Sequence, residues 1–215
     1  MTSGNVSKVF AVGGSIIREN LENISEFAES FPDDEQIVVV TGAGELNRYQ
    51  SAVSGNSGEK DLIGIKATRL HAQTLLTEMK DAYPEVPEKP EEVQTAAESR
   101  KDVVMGGLVP GYSTDAVAAT VAELLDADLF IATTVDGIYS EDPEEVEDAE
   151  KFDRVSVEEL LEITGGANEP GVYSVVDEAA VRIIERSGIE TKIFEARPEN
   201  LSDPEDAGGT EIVHR

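Results

Sequence analysis

Two glycine turns carry the first chemical signal in this chain. Gly13-Gly14-Ser15 follows the apolar run VSKVFAV, and Gly42-Ala43-Gly44 closes the β-branched run IVVV. Glycines let successive backbone N–H groups converge on an anion, and a helix starting just beyond adds the positive end of its dipole. Arg48, one turn further on, brings a guanidinium suited to a bidentate grip on phosphate. Either turn alone is compatible with an ordinary strand-to-helix connection. Two of them after neighbouring strands point to two phosphate groups, hence to a donor and an acceptor.

Four more groups belong in the same inventory. Asp61 offers a carboxylate for ribose hydroxyls, or else it caps the helix that follows. Residues 106–115 (GGLVPGYSTD) supply backbone donors, the hydroxyls of Ser113 and Thr114, and a helix start. Residues 133–142 (TTVDGIYSED) place Tyr139 where it can flank a base, beside an Asp136-Gly137 turn. Asp177 stands at the start of a helix, where a carboxylate usually sits on the surface and compensates the dipole, or else, near polyphosphate, organises Mg²⁺ or another cation. His71, one of two histidines, sits in a helical run and reads as packing or surface rather than as a ligand.

These residues need a scaffold, and hydrophobic periodicity predicts it. Strands are expected over 6–12, 37–40, 102–105, 129–134, 191–195 and 210–213. Helices are expected over 21–31, 46–53, 62–83, 91–99, 115–125 and 175–187, the last closed by Gly188. Ser156 and Glu159 form a capping box that starts another helix. Loops are expected over 54–60, 141–150 and 165–170. Strands alternate with helices throughout, which predicts an α/β, three-layer αβα sandwich with a mostly parallel central sheet. No internal repeat or linker divides the chain, so residues 1–215 read as one domain. The two loops that flank the helix over 115–125 then fall at the carboxyl edge of the sheet, where such folds hold ligands.

Composition narrows the class. Of 215 residues 40% are hydrophobic, too many for an acidic disordered chain. Forty-five acidic residues against 17 basic ones give a net charge of −28, spread along the whole chain. Adaptation to high salt is the simplest cause, because salt screens the self-repulsion. No basic patch is visible, which disfavours nucleic acid as a partner. The absence of cysteine excludes disulfides, thiolate zinc sites and cysteine nucleophiles. No apolar run approaches a membrane span, and MTSGNVSK lacks a signal-peptide core. A cytoplasmic, soluble protein is the expectation.

The blocks AVGGS, VVVTGAGELNR, KDLIGIKATRLHA, VMGGLVPGYSTDAVAA, ADLFIATTVDGIYSEDP, VVDEAAVRIIERSGI and GTEIV together resemble the amino-acid-kinase family and, within it, the archaeal type of uridylate (UMP) kinase. The likeness runs nearly end to end, with STDAVAA, VDGIY and the Asp of VVDEAA as its most specific parts. It implies transfer of the ATP γ-phosphoryl group to UMP with Mg²⁺, and a hexamer built from dimers. By that resemblance Gly13, Gly14 and Ser15 contact the ATP phosphates. Gly42 meets UMP, with Ala43 and Arg48 at the phosphates between the nucleotides. Asp61 serves the uridine side. Leu108, Val109, Pro110, Gly111, Tyr112, Ser113 and Thr114 form the loop that wraps the nucleoside monophosphate. Thr134, Tyr139 and Asp142 lie on the ATP-base side, and Asp177 lies near the transferring group.

Three departures accompany the resemblance. Ala11 stands where many family members carry a strand-one lysine, and Lys8, three residues earlier, falls on the opposite face of the strand. Thr134 replaces a second basic residue near the donor phosphates. The second glycine turn reads GAG where GGG is commoner. Other readings stay open: a kinase of the same fold acting on a carboxylate, carbamate or isoprenoid phosphate, or a non-catalytic nucleotide- or oxoanion-binding relative. A dinucleotide-binding oxidoreductase is disfavoured, since neither VGGSII nor TGAGEL matches GxGxxG.

Overall fold

A computed structural model describes residues 6–143, 146, 148–164 and 175–214. The strands are β1 (Lys8–Val12), β2 (Ile37–Thr41), β3 (Val103–Met105), β4 (Asp128–Thr133), β5 (Ile138–Tyr139), β6 (Lys151–Phe152), β7 (Arg154–Ser156), β8 (Thr191–Glu195) and β9 (Thr210–Val213). Seven of them form one sheet in the order β3-β2-β1-β4-β8-β9-β7; β5 and β6 pair separately as an antiparallel ribbon. All sheet pairings are parallel except β8 with β9.

The helices are α1 (Gly14–Glu19), α2 (Ile24–Ala28), α3 (Arg48–Ser51), α4 (Ser57–Glu78), α5 (Pro90–Glu98), α6 (Thr114–Leu125), α7 (Val157–Thr164), α8 (Glu178–Ser187) and α9 (Pro198–Ser202). Side-chain alternation along the central strands builds two cores. Val9, Ala11, Val38 and Val40 join Val117, Val121, Val181 and Ile184 of α6 and α8 on one face. Phe10, Val12, Val39 and Phe130 join Ile17, Ala72 and Leu75 of α1 and α4 on the other. The three-layer expectation holds.

Local chemistry moves several boundaries. Residues 21–31 do not form one helix: a 3-10 turn, Leu21–Asn23, precedes α2, and its last residue, Asn23, has a non-helical conformation. Over 46–53 the chain instead makes a 3-10 turn, Gly44–Asn47, running into the four-residue α3. Asp61 is not a helix cap. Asn56 caps α4, accepting from Glu59 N–H at 3.0 Å while Glu59 accepts from Asn56 N–H at 2.9 Å. This capping box pulls the start of α4 back into the expected loop and leaves Asp61 inside the helix, free for another partner. Asp177 caps α8 from outside. The short β5, β6, β7 and α9 had no distinct sequence pattern, and residues 165–170 lie outside the described residues.

The sheet order sets the ligand edge. β1 leads to β2 on one side, while β4 packs on its other side, so the connections diverge at β1. The loops leaving β3, β2, β1 and β4 are therefore neighbours along one carboxyl edge.

Candidate active site

The two glycine turns are in direct backbone contact. A Cβ at Gly14 would overlap the Gly44 amide nitrogen and the Ala43 carbonyl carbon, and would lie 2.6 Å from the Gly42 carbonyl oxygen. From the other side, a Cβ at Gly44 would lie 2.5 Å from the Gly14 carbonyl carbon, and Gly44 has φ +52°, a left-handed conformation suited to glycine. Gly13 N–H donates to Ala132 O and Gly42 N–H to Val12 O, which pins both turns to the strand ends. The amide of Ala43 has no acceptor among the described residues, and neither do those of Gly14 and Ser15. Free amides on two turns in contact are the kind of donors from which an anion cradle is built.

A pocket of about 260 Å³ opens on the β2–β3 side of this cradle. Helix α4 organises it. Asp61 Oδ2 accepts from Gly111 N–H at 2.8 Å, and Gly111 has φ +86°. One turn-pair along, Thr68 Oγ1 accepts from Gly107 N–H at 2.7 Å, and Thr41 Oγ1 donates to Thr68 O at 2.8 Å. Helix α4 thus fastens the 106–114 loop at two points and the end of β2 at a third. Val109 and Tyr112 present exposed apolar surface over the opening, Pro110 is exposed beside them, and Leu108 tucks partly into the core. Gly64, in mid-helix, leaves room for the Gln50 carboxamide, which donates to Asn47 Oδ1 at 2.9 Å; all three line the pocket.

The 106–114 loop ends in a carboxylate pair. Ser113 caps α6, accepting from Ala116 N–H at 3.0 Å, and its hydroxyl also donates to Asp177 Oδ2. Asp177 Oδ1 accepts from Ala179 N–H at 2.9 Å and Ala180 N–H at 3.2 Å. Asp115, next to Thr114, retains some exposure, yet its carboxyl is closely surrounded. Desolvation, with repulsion from Asp177 second, pushes it up to about 7. Sequence reasoning missed Asp115 as a functional group, although STD at a helix start after a glycine loop contained the signal. Asp115 and the Asp177 that repels its charge form a pair of carboxylate donors of the kind that suits a hard cation. Among the described residues no group of three or more His, Asp or Glu forms a metal cage.

On the other side of the cradle, Thr134 is exposed just past β4. Tyr139 is half-buried, its hydroxyl donating to Asp136 Oδ1 at 2.7 Å, and Lys151 Nζ holds Asp136 Oδ2 at 3.0 Å. Thr210 of β9 fixes this turn by accepting from Ile138 N–H at 2.8 Å. Asp142 follows on the same connection. Arg48 is exposed and makes no ion pair among the described residues; its guanidinium lies 5.6 Å from the Tyr49 ring centroid and outside the pocket lining. Arg18 is tied to Glu45 at 2.6 Å. Ala11 is 1% exposed in the α6-side core, and Lys8 sits at the far end of β1, bound to Glu35 and Glu205. No strand-one ammonium reaches the cradle.

The sequence pattern that defines the Amino acid kinase family matches residues 7–195. The chain belongs to that family. Amino acid kinases similar to it include a Uridylate kinase of Methanococcus maripaludis, 40% identical over 95% of this chain and 98% of its own. Another, from Methanococcoides burtonii, is 43% identical over 92% of this chain and 88% of its own. The crystal structure of Uridylate kinase from Archaeoglobus fulgidus superposes with a TM-score of 0.87 at 38% identity, covering 97% of this chain and all of that one. In this amino acid kinase the structure brings Gly13, Gly14, Ser15, Gly42 and Ala43 into one cradle, and gathers Asp61 with the 108–114 loop. Asp177 is tied to that loop through Ser113. Thr134, Tyr139 and Asp142 all follow β4 on the connection to β6.

Proposed function

We propose that this protein is an ATP-dependent uridylate kinase, a single domain spanning residues 1–215. The observation that carries the reading is the contact between the two glycine turns. With free amides on both and a pocket of about 260 Å³ on one side, it suits two nucleotides meeting phosphate to phosphate. The relatives named Uridylate kinase supply the substrate pair, UMP and ATP.

The chemistry follows from the chain's own groups. The nucleophile is a phosphate oxygen of UMP, already anionic at neutral pH, so no general base is needed. Catalysis reduces to alignment and charge stabilisation. In this reading Asp61 and the 108–114 loop hold the uridine and ribose, while Gly42, Ala43 and Arg48 hold the acceptor phosphate. Gly13, Gly14 and Ser15 hold the donor phosphates, with Thr134, Tyr139 and Asp142 around the ATP base. Asp115 and Asp177 would hold Mg²⁺, whose chemistry is to neutralise phosphate charge. The resemblance extends the proposal to a cytoplasmic hexamer, and the −28 charge extends it to function in high salt.

The test is ADP release with UMP, CMP, dCMP or small carboxylic acids, in molar KCl with Mg²⁺. ADP formed with UMP alone is expected. ADP formed best with a carboxylic acid refutes the reading. Arg48→Ala should cut turnover at least tenfold; near-normal kinetics in that variant would remove Arg48 from the site.

A further inference from the structure

His71 has no part in the chemistry of the proposed transfer. It is 6% exposed, on the face of α4 that carries Thr68, and its Nδ1 lies 2.8 Å from the Gly42 carbonyl oxygen. A carbonyl only accepts, so Nδ1 carries the proton and donates.

The contact has a geometric consequence. Gly42 C=O and Ala43 N–H belong to one peptide unit, and there are no cis peptide bonds among the described residues. In a planar trans unit the two point in opposite directions. A carbonyl held toward His71 therefore turns the Ala43 N–H away from His71, and that amide has no acceptor among the described residues. Ala43 itself lines the pocket. The unit also needs holding. Gly42 has no side chain to restrain rotation of this peptide, and a flip would point the carbonyl oxygen at an incoming anion.

We infer that His71 is a positioning residue: by holding the Gly42 carbonyl it aims the Ala43 N–H at the phosphate of the acceptor nucleotide. The inference rests on the uridylate kinase reading for the identity of that nucleotide. It assigns His71 no contact with substrate and no proton transfer.

The test is calorimetric binding of UMP and of uridine to the full-length protein in molar KCl. An N–H bond to a charged group is worth about 1.5–3 kcal/mol, which is roughly tenfold or more in affinity. His71→Leu keeps the bulk and loses the donor. It should weaken UMP at least tenfold and leave uridine within about twofold, because uridine brings no phosphate to the Ala43 amide. His71→Asn places an amide nitrogen at the same branch of the side chain and should bind UMP within about threefold of wild type. His71→Gln sets its nitrogen one bond further out and should resemble His71→Leu, which keeps the comparison alive if the leucine variant fails to fold. Equal loss of UMP and uridine affinity, or an Asn variant no better than the Gln variant, overturns the inference. If the wild type binds inorganic phosphate but not UMP, the nucleotide reading fails separately. The same variants are then compared with inorganic phosphate, where equal affinity of wild type and His71→Gln overturns the role of His71.

Discussion

Adding one carbon to Gly14 tests the central geometry directly. Real Cβ atoms essentially never approach a heavy atom closer than 3.0 Å, yet a Cβ on Gly14 would lie 2.6 Å from the Gly42 carbonyl and nearer still to Gly44 N. All of these neighbours are backbone, so no side chain can swing away. In Gly14→Ala the two turns must part by a distance on the order of 1 Å, and a misplacement of that size costs about 10²-fold in an aligned transfer. That factor is about 2.7 kcal/mol of transition-state stabilisation. Overpacking adds about 1–3 kcal/mol of lost stability. Gly13→Ala is the control, because its Cβ would meet Ile16 Cδ1 and Ser15 Oγ at an ordinary 3.6 Å. Both variants are assayed for ADP formation with saturating UMP and ATP, and for thermal unfolding. Gly14→Ala should lose about 10²-fold in kcat and melt several degrees lower. Gly13→Ala should keep its melting temperature and lose less than about tenfold in kcat. A Gly14→Ala enzyme within threefold of wild type refutes the claim that contact between the turns sets the alignment. So does a Gly13→Ala variant that is equally damaged.

Asp61→Ala removes the acceptor for Gly111 N–H and should raise the KM for UMP about tenfold, the scale of a hydrogen bond to a charged group. The KM for ATP should be unchanged, as steady-state titration of each substrate will show. Asp102, pushed up to about 6 by burial with Asp81 nearby, binds its proton more tightly folded than unfolded. Its contribution to stability is therefore greatest below about pH 4 and is lost as pH rises through 6. Asp102→Asn still accepts from Ile37 N–H. The melting temperature of wild type minus that of Asp102→Asn should fall between pH 4 and 7 at fixed KCl; a difference that ignores pH contradicts the assignment. A net charge of −28 predicts a melting temperature that climbs steadily from 0.1 to 2 M KCl, where the screening length shrinks from about 10 Å to below 3 Å. A flat dependence would remove self-repulsion as the reason for the salt adaptation.

Much of this protein was legible in one dimension. The stretches VFAV, IVVV and LFIA are apolar without alternation, which favours strands covered on both faces. The amphipathic helices between them lead to a mostly parallel sheet. The capping box at Ser156 and the glycine end of α8 at Gly188 are local chemistry, decided within a few residues. The site residues were visible as a collection of glycines, hydroxyls and carboxylates. Their pairings were not, since each depends on groups far apart in sequence. Asp61 looked like a cap until Asn56 took that place and Gly111, 50 residues on, took its carboxylate. Gly13 and Gly14 are indistinguishable as letters, and only the approach of the second turn makes one of them irreplaceable. His71 read as packing because its partner is a backbone carbonyl, which has no sequence signature. The sequence alone determined which chemistry was on hand. The tertiary structure decided which amides are left free to use it, because a hydrogen bond across the fold is settled by where the strands end and α4 lies, not by neighbours along the chain.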